Sequence, residues 1–191
     1  MISNLLGQRG REVRLNVTGR ASEVVSVIRN DKVTMSVSLR PATPEDEAFL
    51  CELYSTSRRE ELASWGWDAA QRDSFLTMQF NAQQAHFRNQ FPGADHSIVL
   101  VDGKAMGRMV VVRMEQEIRL ADIALLPECR NAGIGTSLIS DLHLEGTATR
   151  KPIRLHVSKT NRAQELYARL GFTRIGDTGT HFLMEWAADG Q

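Results

Sequence analysis

The chain has 191 residues, enough for one domain with a full core and little room for a second. Apolar residues make up 42% and charged residues 24%, and the formal net charge is zero, which leaves no global attraction to nucleic acid or to acidic membranes. No apolar run approaches the roughly 20 residues of a membrane helix, the first residues lack the apolar stretch of a secretory signal, and Cys51 and Cys129 stand in unlike contexts, so a cytoplasmic protein with free thiols is expected.

Residues 1–34 differ from the rest of the chain. They hold six basic residues, among them Arg9, Arg11 and Arg14, against three acidic ones, and only short alternating pieces such as Val13 to Val17. They are expected to form a basic N-terminal extension, peripheral or partly disordered, with a docked hairpin as the alternative. From Ser36 the pattern sharpens. Val37 and Leu39 alternate with polar residues as in a strand. Thr43-Pro44-Glu45-Asp46 is a helix start, with Thr as the cap, Pro at the first helical position and acids in the first turn. This helix is expected to reach about Ser57, with a second helical piece over 58–63. Asp68 caps a third helix through about Gln90, which Pro92 and Gly93 end.

The signal then turns to β. Ser97 to Val101 reads as a strand, and Asp102-Gly103 as a tight hairpin turn whose two central positions favour positive φ. A valine-rich return strand over Lys104 to Met114 leads to Ile118–Leu126. Alternation slips in that last run: Ile118 and Leu120 fall on one parity, Ile123 and Leu125 on the other, as a β-bulge would produce. Pro127 stops the run, and Arg130 to Thr136 come next as a glycine-rich loop opening a helix with Ile134, Leu138, Ile139 and Leu142 at helical spacing. Unpaired N–H groups of a first helical turn attract phosphate oxygens, and glycines allow a close approach. Ile153, Leu155 and Val157 form another strand. Ala163, Leu166, Tyr167 and Leu170 mark a helix closed by Gly171 and Phe172, and Phe172–Ile175 with His181–Trp186 close the chain as a strand pair. The order predicts an α+β fold with one parallel crossover and a single domain over residues 35–187, with 188–191 as a tail.

Several chemistries are absent from the sequence. It has no G-x-x-x-x-G-K-[ST] loop and no G-x-G-x-x-G dinucleotide pattern. It also lacks metal spacing of the C-x-x-C or H-E-x-x-H kind and a G-x-S-x-G elbow.

Two stretches resemble one family. Arg130-Asn131-Ala132-Gly133-Ile134-Gly135 fits the [RQ]-x-x-G-x-[GA] signature of the GNAT superfamily of N-acetyltransferases, and Leu125-x-Pro127-x-x-Arg130 is similar to the end of that family's fourth strand. Asn161-x-Ala163-x-x-Leu166-Tyr167-x-x-x-Gly171-Phe172 resembles its later N-x-x-A-x-x-L-Y-x-x-x-G-F element. The resemblance covers about residues 36–187. It implies a mixed, mostly antiparallel sheet of about six to seven strands flanked by helices, with a splayed strand pair that holds the pantetheine arm of an acyl-CoA. It also implies acetyl-CoA as co-substrate, no metal, and direct transfer to a primary amine of a small molecule or peptide. A non-catalytic acyl-CoA-binding regulatory module is the alternative.

On that resemblance the backbone of Ile123, Ala124 and Leu125 would pair with the pantetheine arm, and Asn161 would hydrogen-bond it. Arg130, Asn131, Ala132, Gly133, Ile134, Gly135 and Thr136 would hold the pyrophosphate. Tyr167 would protonate the departing thiolate, since a phenol is a protonated donor at neutral pH. A base must take the amine proton. Asp122, an acid in an apolar strand, is the first choice, and a structural carboxylate bonded to an arginine is its alternative. Glu60 and Glu61 come next, with a solvated helix face as their plainer explanation. His156 could orient a water or be a satisfied core histidine. Trp65, Trp67 and Phe87 could line the acceptor site or simply pack. No nucleic-acid or membrane partner is expected, and the chain would act as a monomer or homodimer.

Overall fold

The structure, a computed structural model, describes residues 12–15, 24–30, 33–62 and 66–188, with residues 12–15, 24–30, 33–34, 57 and 59–61 described by backbone alone. Among the described residues, nine strands form one sheet. They are β1 (Glu12–Leu15), β2 (Val24–Asn30), β3 (Val33–Pro41), β4 (Asp95–Val101), β5 (Lys104–Arg113), β6 (Ile118–Leu125), β7 (Ile153–Ser158), β8 (Thr173–Asp177) and β9 (His181–Trp186). Their spatial order is β1-β2-β3-β4-β5-β6-β7-β9-β8. Every neighbouring pair is antiparallel except β6 with β7. The helices are α1 (Glu47–Leu62), α2 (Ala69–Gln90), α3 (Ile134–Thr149) and α4 (Ala163–Arg169). The seven strands from β3 onward match the expected α+β sheet, and β1 and β2 extend its far edge.

Local chemistry sets the element ends. Asp46 accepts from Thr43 N at 2.9 Å and takes both terminal nitrogens of the Arg40 guanidinium, at 2.7 and 2.6 Å. Helix α1 then runs unbroken to Leu62, so the expected break near Ser57 is absent: Ser57 and Arg58 carry no helix-breaking feature, and the helix continues through them. At α2, Asp68 Oδ1 accepts from Gln71 N at 2.8 Å while Gln71 Oε1 accepts from Asp68 N at 3.1 Å, a reciprocal cap. Asp102 (φ 48°) and Gly103 (φ 78°) make the tight β4–β5 turn.

The two faces of the sheet carry different loads. Val99, Met109, Val111, Ile118, Leu120, Ile153 and Leu155 point to one side and form the main core with Ile134, Leu138, Ile139 and Leu142 of α3 and Tyr167 of α4. On the other side α1 packs against β5 and β6, and Tyr54, Leu62, Leu76 and Phe80 close a smaller core between α1 and α2. Among the described residues, no helix is long and apolar enough to cross a membrane.

Candidate active site

The site begins with an irregularity in the β5–β6 ladder. Val110 lies opposite Asp122 and Val111 opposite Leu120, so Ala121 is an extra residue on β6, a bulge. This is the parity slip seen in the sequence. One extra residue returns Asp122 to the face that Arg119 occupies, and it keeps Ile123 and Leu125 against the main core.

The parallel ladder between β6 and β7 ends at the same level. It pairs Ile118 with Ile153, Arg119 with Arg154 and Leu120 with Leu155, and goes no further. Residues 121–125 of β6 are therefore bonded to β5 on one edge and have no strand on the other. The free edge of Ile123, Ala124 and Leu125 can take one more extended chain by main-chain hydrogen bonds. Opposite Leu125 stands Gly107, where any Cβ would overlap the Ala124 carbonyl oxygen and lie 2.7 Å from Leu125 Cδ2. Only glycine lets β5 approach the end of β6 this closely.

Past the gap the chain turns into a loop with bare backbone N–H groups. Asn131 (φ 61°) and Gly133 (φ 85°) are left-handed, and Gly133 caps α3 without any side-chain hydrogen bond. The first backbone bond of the helix is Ser137 N to Gly133 O at 2.9 Å. None of the N–H groups of residues 131–136 has an acceptor among the described residues. That is the donor set a phosphate group fits, and the helix dipole adds to it. Arg130 folds back, its Nε donating to Leu125 O at 3.1 Å, and so ties the loop to the end of the free edge. A Cβ on Gly135 would meet only Leu166 Cδ2, at 3.5 Å, so the fold itself has room for one more carbon there. Asn161 Oδ1 accepts from Ala163 N at 2.9 Å at the start of α4.

Tyr167 is 7% exposed and its ring meets Phe172 edge-on, centroids 5.7 Å apart. Burial, and after it the Asp122 charge, pushes its phenol up to about 12, so it is protonated at any physiological pH. Asp122 itself is engaged. Its Oδ2 accepts from Arg108 Nε at 2.5 Å, and Arg108 is 5% exposed. The other arm of Arg108 donates to Gln83 Oε1 of α2 at 2.9 Å, and its guanidinium lies over the Phe87 ring, 5.2 Å from the centroid. His96 meets the same ring edge-on at 6.2 Å, and burial followed by the Arg108 charge holds it below the usual imidazole range. This arrangement is the alternative for Asp122: a carboxylate held by an arginine.

Other expected residues fall elsewhere. Phe87 is 7% exposed and supports Arg108 from beneath, so it does not line an open pocket; its apolar ring is the platform that makes the buried guanidinium tolerable. Trp67 is half-buried against Phe75 at 5.1 Å. Trp65 and the side chains of Glu60 and Glu61 lie outside the described residues. His156 is exposed on β7, not a core histidine. Arg108 escapes a reading of the sequence for site residues. The signal was present, since Arg108 is a lone charge inside Met106–Val112.

Comparison with known proteins agrees with this geometry. Residues 92–174 match the family model described as an acetyltransferase (GNAT) domain. A PaiA N-acetyltransferase from Thermoplasma acidophilum, solved in complex with coenzyme A, superposes with a TM-score of 0.61 at 18% identity, over 80% of this chain and 99% of that one. An acetyltransferase from Thermus thermophilus gives 0.59 at 15% identity, over 80% and 97%. The mouse Cysteine-rich protein 2-binding protein is 38% identical over 86 residues, 44% of this chain; the chain spans 10% of the length of that relative. The segment matched by the family model runs from the β4 entry to β8 and takes in the bulge, the gap and the loop.

Proposed function

We propose that this protein transfers an acetyl group from acetyl-CoA to a primary amine of a small molecule or peptide by direct attack. The observation that carries this reading is the coincidence of two features on one strand, the bulge at Ala121 and the end of the β6–β7 ladder at Leu120, with the donor loop at 131–136 that follows it. A ligand with an extended arm and a pyrophosphate fits all three. The arm would pair with Ile123–Leu125, the pyrophosphate would take the loop N–H groups, and Asn161 would reach the arm from α4. A backbone N–H near Leu125 would stabilise the oxyanion formed at the thioester carbonyl. The departing thiolate would take its proton from Tyr167, which burial keeps protonated. Asp122, tied to Arg108, serves here as a fixed negative charge near Tyr167, not as a free base.

A second reading has one observation in its favour: the acid expected to act as base is held by an arginine. On that reading the domain binds acyl-CoA without turnover. Thiol release from acetyl-CoA, measured over a set of amines alongside CoA titration calorimetry, separates the two. Amine-dependent release supports the transferase. Binding without release on any amine supports the module, and absence of binding refutes both.

A further inference from the structure

We propose that His156 is the general base that takes the proton from the acceptor amine; the inference rests on the transferase reading and deepens it. The argument is one of placement. Along β7, Ile153, Leu155 and Val157 are buried in the main core, so Arg154, His156 and Ser158 face the opposite side of the sheet. After the bulge, Asp122 of β6 faces that side too. His156 is the first residue of β7 beyond the last paired rung, Leu120 with Leu155, so it stands on the lip of the gap. Helices α3 and α4 and the loop at 131–136 lie on the core face, and on the transferase reading the acyl-CoA would enter from there. Helix α1 packs against β5 and β6 on the other face, where His156 is exposed. An amine must meet the thioester in the gap from this open side, and His156 is the titratable side chain at its edge.

The imidazole is also chemically available. His156 has no hydrogen-bond partner among the described residues, and its cross-strand neighbour is the apolar Leu183. The groups facing it are Arg119 of β6 and Glu117 just before that strand, Arg154 on its own strand, and His181 and Glu185 from β9. Glu117 is committed to Arg119 and Arg154, at 2.5 and 2.7 Å, and Glu185 to Arg154 at 2.7 Å, so no free carboxylate holds the imidazole charged. Partial burial, then Arg119 and His181, favour its neutral form. Asp122, by contrast, is bound to the Arg108 guanidinium at 2.5 Å.

The step balances with these groups alone. The neutral amine nitrogen adds to the thioester carbon, giving a tetrahedral adduct with a cationic nitrogen and an oxyanion. His156 takes one proton from that nitrogen, directly or through one water. The oxyanion re-forms the carbonyl, the C–S bond breaks, and the thiolate takes the Tyr167 proton. The imidazolium then loses its proton to solvent and the phenolate gains one, leaving the amide and free CoA.

The test uses the full chain with acetyl-CoA and three amines: spermidine, aniline and a tripeptide with a free N-terminus. His156→Ala and the near-isosteric His156→Gln are expected to bind CoA as the unaltered chain does, because the side chain is exposed, and to lose about 100-fold in kcat/KM. The acidic limb of the unaltered chain's pH–rate profile should lie below the ordinary imidazole range and vanish in both variants, and millimolar imidazole should partly restore His156→Ala. An acidic limb that persists in both variants overturns the assignment while leaving the transferase reading intact. CoA binding by the unaltered chain with no thiol release on any of the three amines overturns the transferase reading and His156 with it.

Discussion

Arg108 and Asp122 meet across the β5–β6 ladder at 2.5 Å, one rung from the bulge that opens the proposed acyl-CoA gap. The guanidinium is nearly buried, with 6% of its side chain exposed, while the carboxylate retains 24%. Through Gln83 and Phe87 the same guanidinium anchors α2 to the sheet. One side chain therefore joins the helical layer to the strand whose free edge is the site.

Breaking that pair should be felt in stability. Arg108→Met leaves Asp122 and Gln83 without their donor, and removing one member of a buried pair costs on the order of 3 kcal/mol, less here because the carboxylate is partly wet. A fall in urea midpoint at unchanged slope is expected. Arg108→Lys keeps the charge but cannot reach both partners, so it should lose an intermediate amount. Equal stability of all three proteins would show that the link is not structural.

The loop at 131–136 allows fold and proposed ligand to be separated. At Gly135 the fold has room for a methyl group, with Leu166 at an ordinary 3.5 Å. Gly135→Ala should thus unfold at an unchanged temperature yet bind CoA roughly 10-fold more weakly or worse, because the methyl group occupies the approach to the donor N–H groups. At Gly133 the backbone has φ 85°, so Gly133→Val should lose both affinity and about 1–2 kcal/mol of stability. Unchanged affinity in calorimetry for both variants would place the ligand elsewhere.

Tyr167→Phe keeps the ring packed on Phe172 and removes only the hydroxyl. Turnover is expected to fall by roughly 10-fold or more, with little change in CoA affinity. The phenol also predicts a pH dependence of stability. Its folded value is raised to about 12 from a reference of about 10, so the folded state favours the protonated form. The associated stability is complete below about pH 10 and is lost as pH rises from there through about 12. Tyr167→Phe should remove that alkaline loss; denaturant midpoints measured across this alkaline window check it.

His143 predicts the opposite trend at the acid end. It lies in α3 with its ring stacked on Trp186, centroids 4.0 Å apart and planes within 6°, and its Nε2 is buried without a partner. Burial lowers its value to about 4. The unfolded chain therefore takes up a proton near pH 6.5 that the folded chain refuses, and stability is lost as pH falls from 6.5 towards 4. After allowance for partial exposure the effect is on the order of 1–2 kcal/mol. His143→Phe keeps the stack and should flatten the melting temperature across that acid range. A profile as steep as that of the unaltered chain would show that other groups control the acid response.

Much of the site was legible in the residues. The bulge showed as a parity slip because strand side chains alternate strictly, and an extra residue must break the count. The loop showed as two glycines before a helical repeat because a helix start without a capping side chain leaves its N–H groups bare. Residues whose roles depend on distant partners stay ambiguous in the sequence. Phe87 can line a pocket or pack on sequence grounds, and the structure buries it beneath a guanidinium supplied by a strand distant in the chain. Arg108 was passed over because nothing local marks its partner, Asp122, which it reaches across a ladder.

The sequence alone determined the order of elements, the bulge, the donor loop and the α+β class, since each follows from local propensity and periodicity. Only the tertiary structure decided what each charge does. It paired Asp122 with Arg108, set His156 exposed at the lip of the gap, and added β1 and β2 to the sheet edge. The physical reason is that burial and electrostatic partnership are set by residues far apart in the chain, and a carboxylate and an imidazole carry no local sign of which of them will be neutralised.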